Sequence, residues 1–313
     1  MKFLASFLLI IFVNACSHPS LSSEQLADSN KNPESILKIW ALSDIQPRAK
    51  SQRHEFSKAI EDINSNISDI DFAIVGGDLV NRAKRGEFEW YLETRERSSV
   101  KEWHEIAGNH DLKSDNGKLY KQMINPVLHY SFSKGNILFI MMSDEQKGSP
   151  TEISEETFEW WKGLVAANQD KIIVVVSHAP VEGSGIPMSE TRRRRITDSK
   201  RFTDVIKKYH VDIWLNGHVH VPHWFADDVI KNELLGGTVF VNLAAIRTEA
   251  FGVKSSESRI ISFTCDSNRF RVRSRNHSNG SFNSGLERVF ELSKPYLCDG
   301  EGFSIEKSKK ADK

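Results

Sequence analysis

The sequence predicts an α/β fold, on three observations. Short apolar, β-branched runs recur along the chain, amphipathic stretches of helical spacing lie between them, and most runs empty into a cluster of Asp, Asn and His.

The first run is ILKIWAL (36–42), followed by the amphipathic SQRHEFSKAIEDI (51–63) and the run DFAIV (71–75). EWHEIAG (102–108), ILFIMM (137–142) and KIIVVVS (171–177) continue the series, with the helical EETFEWWKGLVAA (155–167) before the last of them. In that helix Phe158, Trp161, Leu164 and Val165 recur at core spacing, so the paired tryptophans read as packing. KRFTDVIKKY (200–209) is the next helix, and VDIWL (211–215) and GTVFVNL (237–243) the next strands. After Gly252 the helical signal stops, and RIISFTCD (259–266) with RFRVRSR (269–275) reads as a closing hairpin. No internal repeat is visible.

The chain has 313 residues, 42 basic and 42 acidic side chains, enough for one catalytic-sized domain. Zero formal net charge argues against bulk attraction to nucleic acid and favours small-molecule partners. MKFLASFLLIIFVNAC resembles a bacterial lipoprotein signal: residues 1–15 would be removed and Cys16 lipidated. An ordinary secretory signal with an incidental cysteine is the alternative. Ser17 after the cysteine resembles the sorting signal that sends such lipoproteins to the outer membrane, facing the periplasm, with contact to the membrane through the lipid only. Residues 16–34 are polar and aperiodic, a flexible tether; a folded domain is expected over 35–303, and 304–313 read as a disordered charged tail. In an oxidising compartment Cys265 and Cys298 are free to form a disulfide, although sequence alone does not show that they meet.

The strand ends concentrate the chemistry. In order they deliver Asp44, then Asp78, then Asn109, His110 and Asp111, then His178, then His218 and His220. Singly, each has a plain explanation, since Asp and Asn cap helices and a lone His is usually a satisfied polar residue. Together they lie where α/β sheets gather functional groups.

The motifs SDIQ, GGD, GNHD, SHAP and GHVH, in that order, resemble the calcineurin-like metallophosphoesterase superfamily. The resemblance implies a four-layered α/β/β/α sandwich with two divalent cations at one edge. One ion would lie on Asp44, position 46, Asp78 and His220, and the other on Asp78, Asn109, His178 and His218. It implies hydrolysis of a phosphomonoester or phosphodiester by a hydroxide shared between ions roughly 3.5–4 Å apart. Carboxylate, amide and imidazole ligands without thiolate suit Mn, Fe, Zn or Co. His110 would face the leaving group as proton donor or transition-state stabiliser, and Asp111 would orient its ring or, more simply, cap the next helix.

The departure from the family pattern is Gln46, where a histidine is usual. Its side chain either ligates as a neutral oxygen or hydrogen-bonds a metal-bound water, and it is the sole support for the rival reading, a non-catalytic lipoprotein with a binding or envelope role. For substrate contact, GGDLVNRA resembles the phosphoprotein-phosphatase segment whose arginine grips phosphate, which nominates Arg82. Arg48 after DIQP is a second candidate, and one of the run Arg192 to Arg195, taken as Arg195, a third. His223 reads as a non-ligand. Nothing in the sequence decides between the two ester classes.

Overall fold

The computed structural model describes residues 36–146, 151–247 and 255–298. The signal peptide, the tether with Cys16, and the charged tail lie outside the described residues.

In chain order the strands are β1 (Ile36–Leu42), β2 (Phe72–Val75), β3 (Trp103–Glu105), β4 (His129–Lys134), β5 (Ile137–Met142) and β6 (Ile172–Ser177). They continue with β7 (Ile213–Asn216), β8 (Val229–Asn232), β9 (Thr238–Asn242), β10 (Glu257–Thr264), β11 (Ser267–Asn276) and β12 (Ser281–Tyr296). The α-helices are α1 (His54–Asn66), α2 (Arg85–Arg95), α3 (Lys118–Met123), α4 (Glu155–Ala167) and α5 (Lys200–Lys208). Two six-stranded sheets result, ordered β12-β11-β10-β1-β2-β3 and β4-β5-β6-β7-β9-β8. β1, β2 and β3 are parallel, as are β5, β6, β7 and β9, so each sheet has one edge where strand carboxyl ends collect.

The central strands read as unbroken apolar runs because both faces are covered. In β1, Ile39 and Ala41 enter the core shared by the two sheets, whereas Trp40 and Leu42 pack on the other face against Phe56, Ile60 and Ile63 of α1. In β5, Phe139 and Met141 face the shared core, and Leu138 and Ile140 meet Phe158 and Trp161 of α4 and Phe202 of α5. The layers are therefore α/β/β/α. Side chains such as Trp161, Trp214 and Phe139, fully buried, each contribute roughly 1.5–3 kcal/mol. Trp161 is core packing, as its spacing suggests. Ser154 caps α4 by accepting from Thr157 N–H at 3.2 Å.

The two sheets also share a buried polar tie. Arg259 on β10, fully buried, pairs with Asp228 at the start of β8 and donates from Nε to Asn242 O at 3.1 Å. The β10–β11 hairpin forms as expected, but on the edge of the first sheet beside β1 and extended by β12. Cys265 and Cys298 are disulfide-bonded, tying the β10–β11 turn to the chain just beyond β12. The third run shortens to Trp103–Glu105, and the residues after it form the loop that delivers Asn109.

Candidate metal centre

Both sheets deliver ligands from their carboxyl edges: Asp44 after β1, Asp78 after β2, Asn109 after β3, His178 after β6, and His218 and His220 after β7. Backbone hydrogen bonds stitch these loops together, both within a sheet and across the sandwich. Asp144 N–H donates to Ala107 O at 2.9 Å, Gly217 N–H to His178 O at 2.9 Å and Ile246 N–H to Ser43 O at 3.1 Å.

Local backbone geometry serves the ligands. Asp44, Asp78, His218 and His220 all have left-handed φ, at 55°, 56°, 67° and 52°. Non-glycine residues rarely hold that conformation, and where they do the surrounding structure enforces it, most often at functional sites. The glycines of the motifs make room. A Cβ on Gly77 would lie 2.6 Å from His178 Nδ1, one on Gly217 2.5 Å from Asp44 Oδ2, and one on Gly108 2.8 Å from His178 Cε1.

The ligand atoms fall into two groups whose members lie within 4.8 Å of one another, Asp44–Asp78–His220 and Asp78–His178–His218. Asp78 belongs to both. His220 Nε2 is 2.7 Å from Asp44 Oδ1, His178 Nε2 3.4 Å from Asp78 Oδ2, and His218 Nδ1 3.2 Å from His178 Nε2. His178 Nδ1 lies 2.8 Å from Gly76 O, the outer contact that orients a ligating imidazole and turns Nε2 inward. Gln46 Nε2 donates to Asp78 Oδ2 at 2.8 Å and sits 3.1 Å from His220 Nε2.

The buried oxygens without a hydrogen-bond partner among the described residues include Asn109 Oδ1 and Gln46 Oε1. Unpaired buried acceptors are costly, and a cation at each ligand group would satisfy them. The donor set of carboxylate, amide and imidazole thus fits divalent metal.

Burial and mutual charge shift the titration of these groups. Burial alone would raise the Asp44 and Asp78 carboxyls, but His220 beside Asp44 and His178 beside Asp78 outweigh it and hold both below the ordinary carboxylate range. Burial would lower His178, yet Asp78 holds it well above an ordinary histidine. Burial, then His178, push His218 down to about 3, leaving it neutral with a lone pair to offer.

Asp111 does not take the orienting role expected of it. Its Oδ1 accepts from Val80 N–H at 3.0 Å and its Oδ2 from Leu79 N–H at 3.2 Å and Gly108 N–H at 2.8 Å, so it braces the GGD loop against the GNHD loop. His110 is oriented instead by Asn81, whose backbone O lies 2.9 Å and side-chain Oδ1 3.1 Å from His110 Nδ1. Lys113 Nζ approaches both ring nitrogens of His110, at 2.7 and 3.0 Å. Burial, then Lys113 against the pull of Asp78, keeps His110 below the ordinary histidine value.

A cleft of about 340 Å³ opens over the two ligand groups, with Arg48, Arg194 and Arg247 in its wall beside His110. Arg194 Nη1 lies 3.4 Å from His218 O, and Arg247 Nη2 3.4 Å from His220 Nδ1. Of the arginines nominated from sequence, Arg48 lines this cleft, and from the run Arg192 to Arg195 the one that does so is Arg194, not Arg195. Arg82 is exposed outside it, its backbone N–H donating to Glu87 at 2.9 Å, and Arg195 is drawn away by Glu182 at 2.8 Å and Glu190 O at 3.2 Å. The neighbouring Arg194 stands in its place. His223 is buried and lines a separate cavity of about 270 Å³ with Trp224 and Glu257.

Sequence reasoning also missed Asp144, buried two residues after β5, which burial pushes up to about 8 against the pull of His178. Its position after MMS is the same strand-end signal that found the others. Asn81, Lys113 and Arg247 had no such signal.

Comparison with known proteins bears on this centre. Residues 37–222 match the sequence model of the calcineurin-like phosphoesterase family. No sequence among curated proteins matches the chain. The fold is similar to that of purple acid phosphatase PPD1 from yellow lupin (Lupinus luteus) seeds, at 17% identity and TM-score 0.59 over 82% of this chain. It spans only 54% of that phosphatase. It is also similar to GAP50, the anchor in the inner membrane complex of Plasmodium, at 15% identity and TM-score 0.59, covering 83% of this chain and 90% of that one.

Proposed function

The chain belongs to the calcineurin-like phosphoesterase family, whose chemistry is metal-dependent hydrolysis of phosphate esters, and from that premise we propose a two-cation centre with Asp78 as the shared ligand. The observation behind this reading is the membership of Asp78 in both ligand groups. Asp44, Gln46, Asp78 and His220 would hold one ion, and Asp78, Asn109, His178 and His218 the other, each Mn, Fe, Zn or Co. Bound there, the pair supplies an acidified water and Lewis-acid stabilisation of charge at phosphorus.

The protein's own groups do the rest. Asn81 holds the His110 ring by Nδ1, which leaves Nε2 as the atom that delivers a proton to the leaving oxygen. Its lowered pKa strengthens it as an acid when protonated. Arg194 and Arg247, beside the histidines of the two ligand groups, meet the non-bridging oxygens of the phosphoryl group as it reacts.

The test is turnover of an aryl phosphomonoester and an aryl phosphodiester by protein stripped with chelator and reloaded with Mn. Hydrolysis that disappears with the chelator and returns with the metal is expected. No turnover of either ester with both sites filled would instead favour the non-catalytic lipoprotein.

We further propose that Cys16 carries a lipid and holds the protein at the bacterial outer membrane facing the periplasm, a reading supported by the pattern of residues 1–17. Cys16→Ser should release the protein from the membrane fraction, and retention there would refute the anchor.

A further inference from the structure

We propose that the substrate's leaving group is itself anionic, held by Arg48 and Lys113 where they flank His110. This rests on the reading of His110 as the residue at the leaving oxygen. Lys113 Nζ lies 2.7 and 3.0 Å from the two His110 ring nitrogens, and Arg48 lines the cleft with His110 and is close enough to repel the Lys113 charge.

Neither cation forms a salt bridge among the described residues, and the nearby carboxylates are engaged elsewhere. Asp78 belongs to both ligand groups, Asp111 is taken up by three backbone N–H groups, and Glu87 accepts from the backbone N–H groups of Arg82 and Lys84. Elsewhere, half-buried cations of this protein pair with carboxylates: Arg195 with Glu182 and Arg201 with Glu155.

The cations in the cleft wall, together with Lys113 beside His110, divide into two sets. Arg194 and Arg247 adjoin His218 and His220, at the phosphoryl end. Arg48 and Lys113 adjoin His110, at the other. A neutral alcohol departing past His110 would leave Arg48 and Lys113 without a direct ion-pair partner, their mutual repulsion offset only by the more distant Asp78. A carboxylate or second phosphate on the leaving group would pair with both through charge-assisted hydrogen bonds. The geometry therefore favours a small molecule with two separate acidic groups, one the phosphoryl group to be lost and the other on the part that leaves.

Two aryl esters of similar leaving-group acidity separate the charge from the chemistry: 4-carboxyphenyl phosphate and 4-carbamoylphenyl phosphate. On the Mn-loaded protein at low salt, kcat/KM should favour the carboxylate by about ten-fold. The ratio should fall toward unity in Arg48→Gln and Lys113→Gln, and because it is taken within each variant it does not depend on the folded fraction. A ratio near unity in the wild type overturns the proposal and leaves phosphoesterase activity intact. If neither ester turns over, the phosphoesterase reading fails on its own account, and calorimetry with 4-carboxybenzylphosphonate against benzylphosphonate still decides: about ten-fold tighter binding of the carboxylate supports the anionic site, and equal binding overturns it.

Discussion

The carboxamide nitrogen of Gln46 donates to Asp78 Oδ2 at 2.8 Å, so the unusual residue reaches the shared ligand directly. A half turn of the amide exchanges its nitrogen for Oε1, which has no partner among the described residues, and would present that oxygen to an ion between Asp78 and His220. A neutral amide oxygen is a weaker donor than imidazole toward transition ions. The ion on Asp44, Asp78 and His220 should therefore be the looser of the two, lost first on dialysis and restored by added Mn. Gln46→His should tighten it without changing the reaction, as read from metal content after dialysis. Equal retention of two ions by wild type and variant would contradict the weak-site account.

His110 and Asp111 are adjacent in sequence but predict different defects. His110→Ala should keep near-normal metal content and lose about 10²–10⁴-fold in turnover on esters with poor leaving groups, with a smaller loss on activated aryl esters. Asp111→Ala removes the acceptor for the Leu79, Val80 and Gly108 N–H groups, and should cost roughly 2–4 kcal/mol of stability with no dependence on the leaving group. Urea unfolding and paired substrates distinguish them. A leaving-group-dependent loss in Asp111→Ala would restore it as the orienting residue for His110.

These two residues show what the sequence could and could not convey. The candidate ligands were legible because each sits at the carboxyl end of a parallel strand and keeps a residue type that metal chemistry requires. Asp111 was misassigned because adjacency along the chain does not fix where a carboxylate points, and three backbone donors from another loop capture it. Arg194 and Arg195 differ by one residue yet face different ways, since Arg194 ends a single 3-10 turn (Arg192–Arg194) and Glu182 holds Arg195 outside. β4, β8 and β12 escaped notice because edge strands carry mixed polar sequences, as in HYSFSK and SFNSGLERVFELSKPY. α2 and α3 were missed too; the first is weakly amphipathic and the second only 6 residues long.

Away from the centre, Asp62 of α1 meets Arg275 Nε at 2.8 Å and His277 Nδ1 at 2.7 Å. Burial would raise the Asp62 carboxyl, but Arg275 first and then His277 outweigh it and hold it below the ordinary value. Burial also lowers His277, so Arg275 is the cation that matters. With a depressed folded pKa, Asp62 stabilises the fold above about pH 4, and the contribution is lost as pH falls through the folded value. The stability difference between wild type and Asp62→Asn, from urea midpoints, should be largest near neutrality and shrink in acid. A difference that grows as pH falls would contradict the assignment.

The shared position of Asp78 is the central claim, and metal stoichiometry measured beside turnover in Asp78→Asn tests it most directly. Each sample is dialysed, analysed for metal by mass spectrometry, and assayed on an aryl phosphate ester with added Mn. Because one carboxylate serves both ligand groups, the variant should lose most of both ions together and essentially all activity. Asp78→Asn protein that keeps one ion firmly bound, or that hydrolyses the ester at the wild-type rate, would contradict a shared ligand and the two-cation centre built on it.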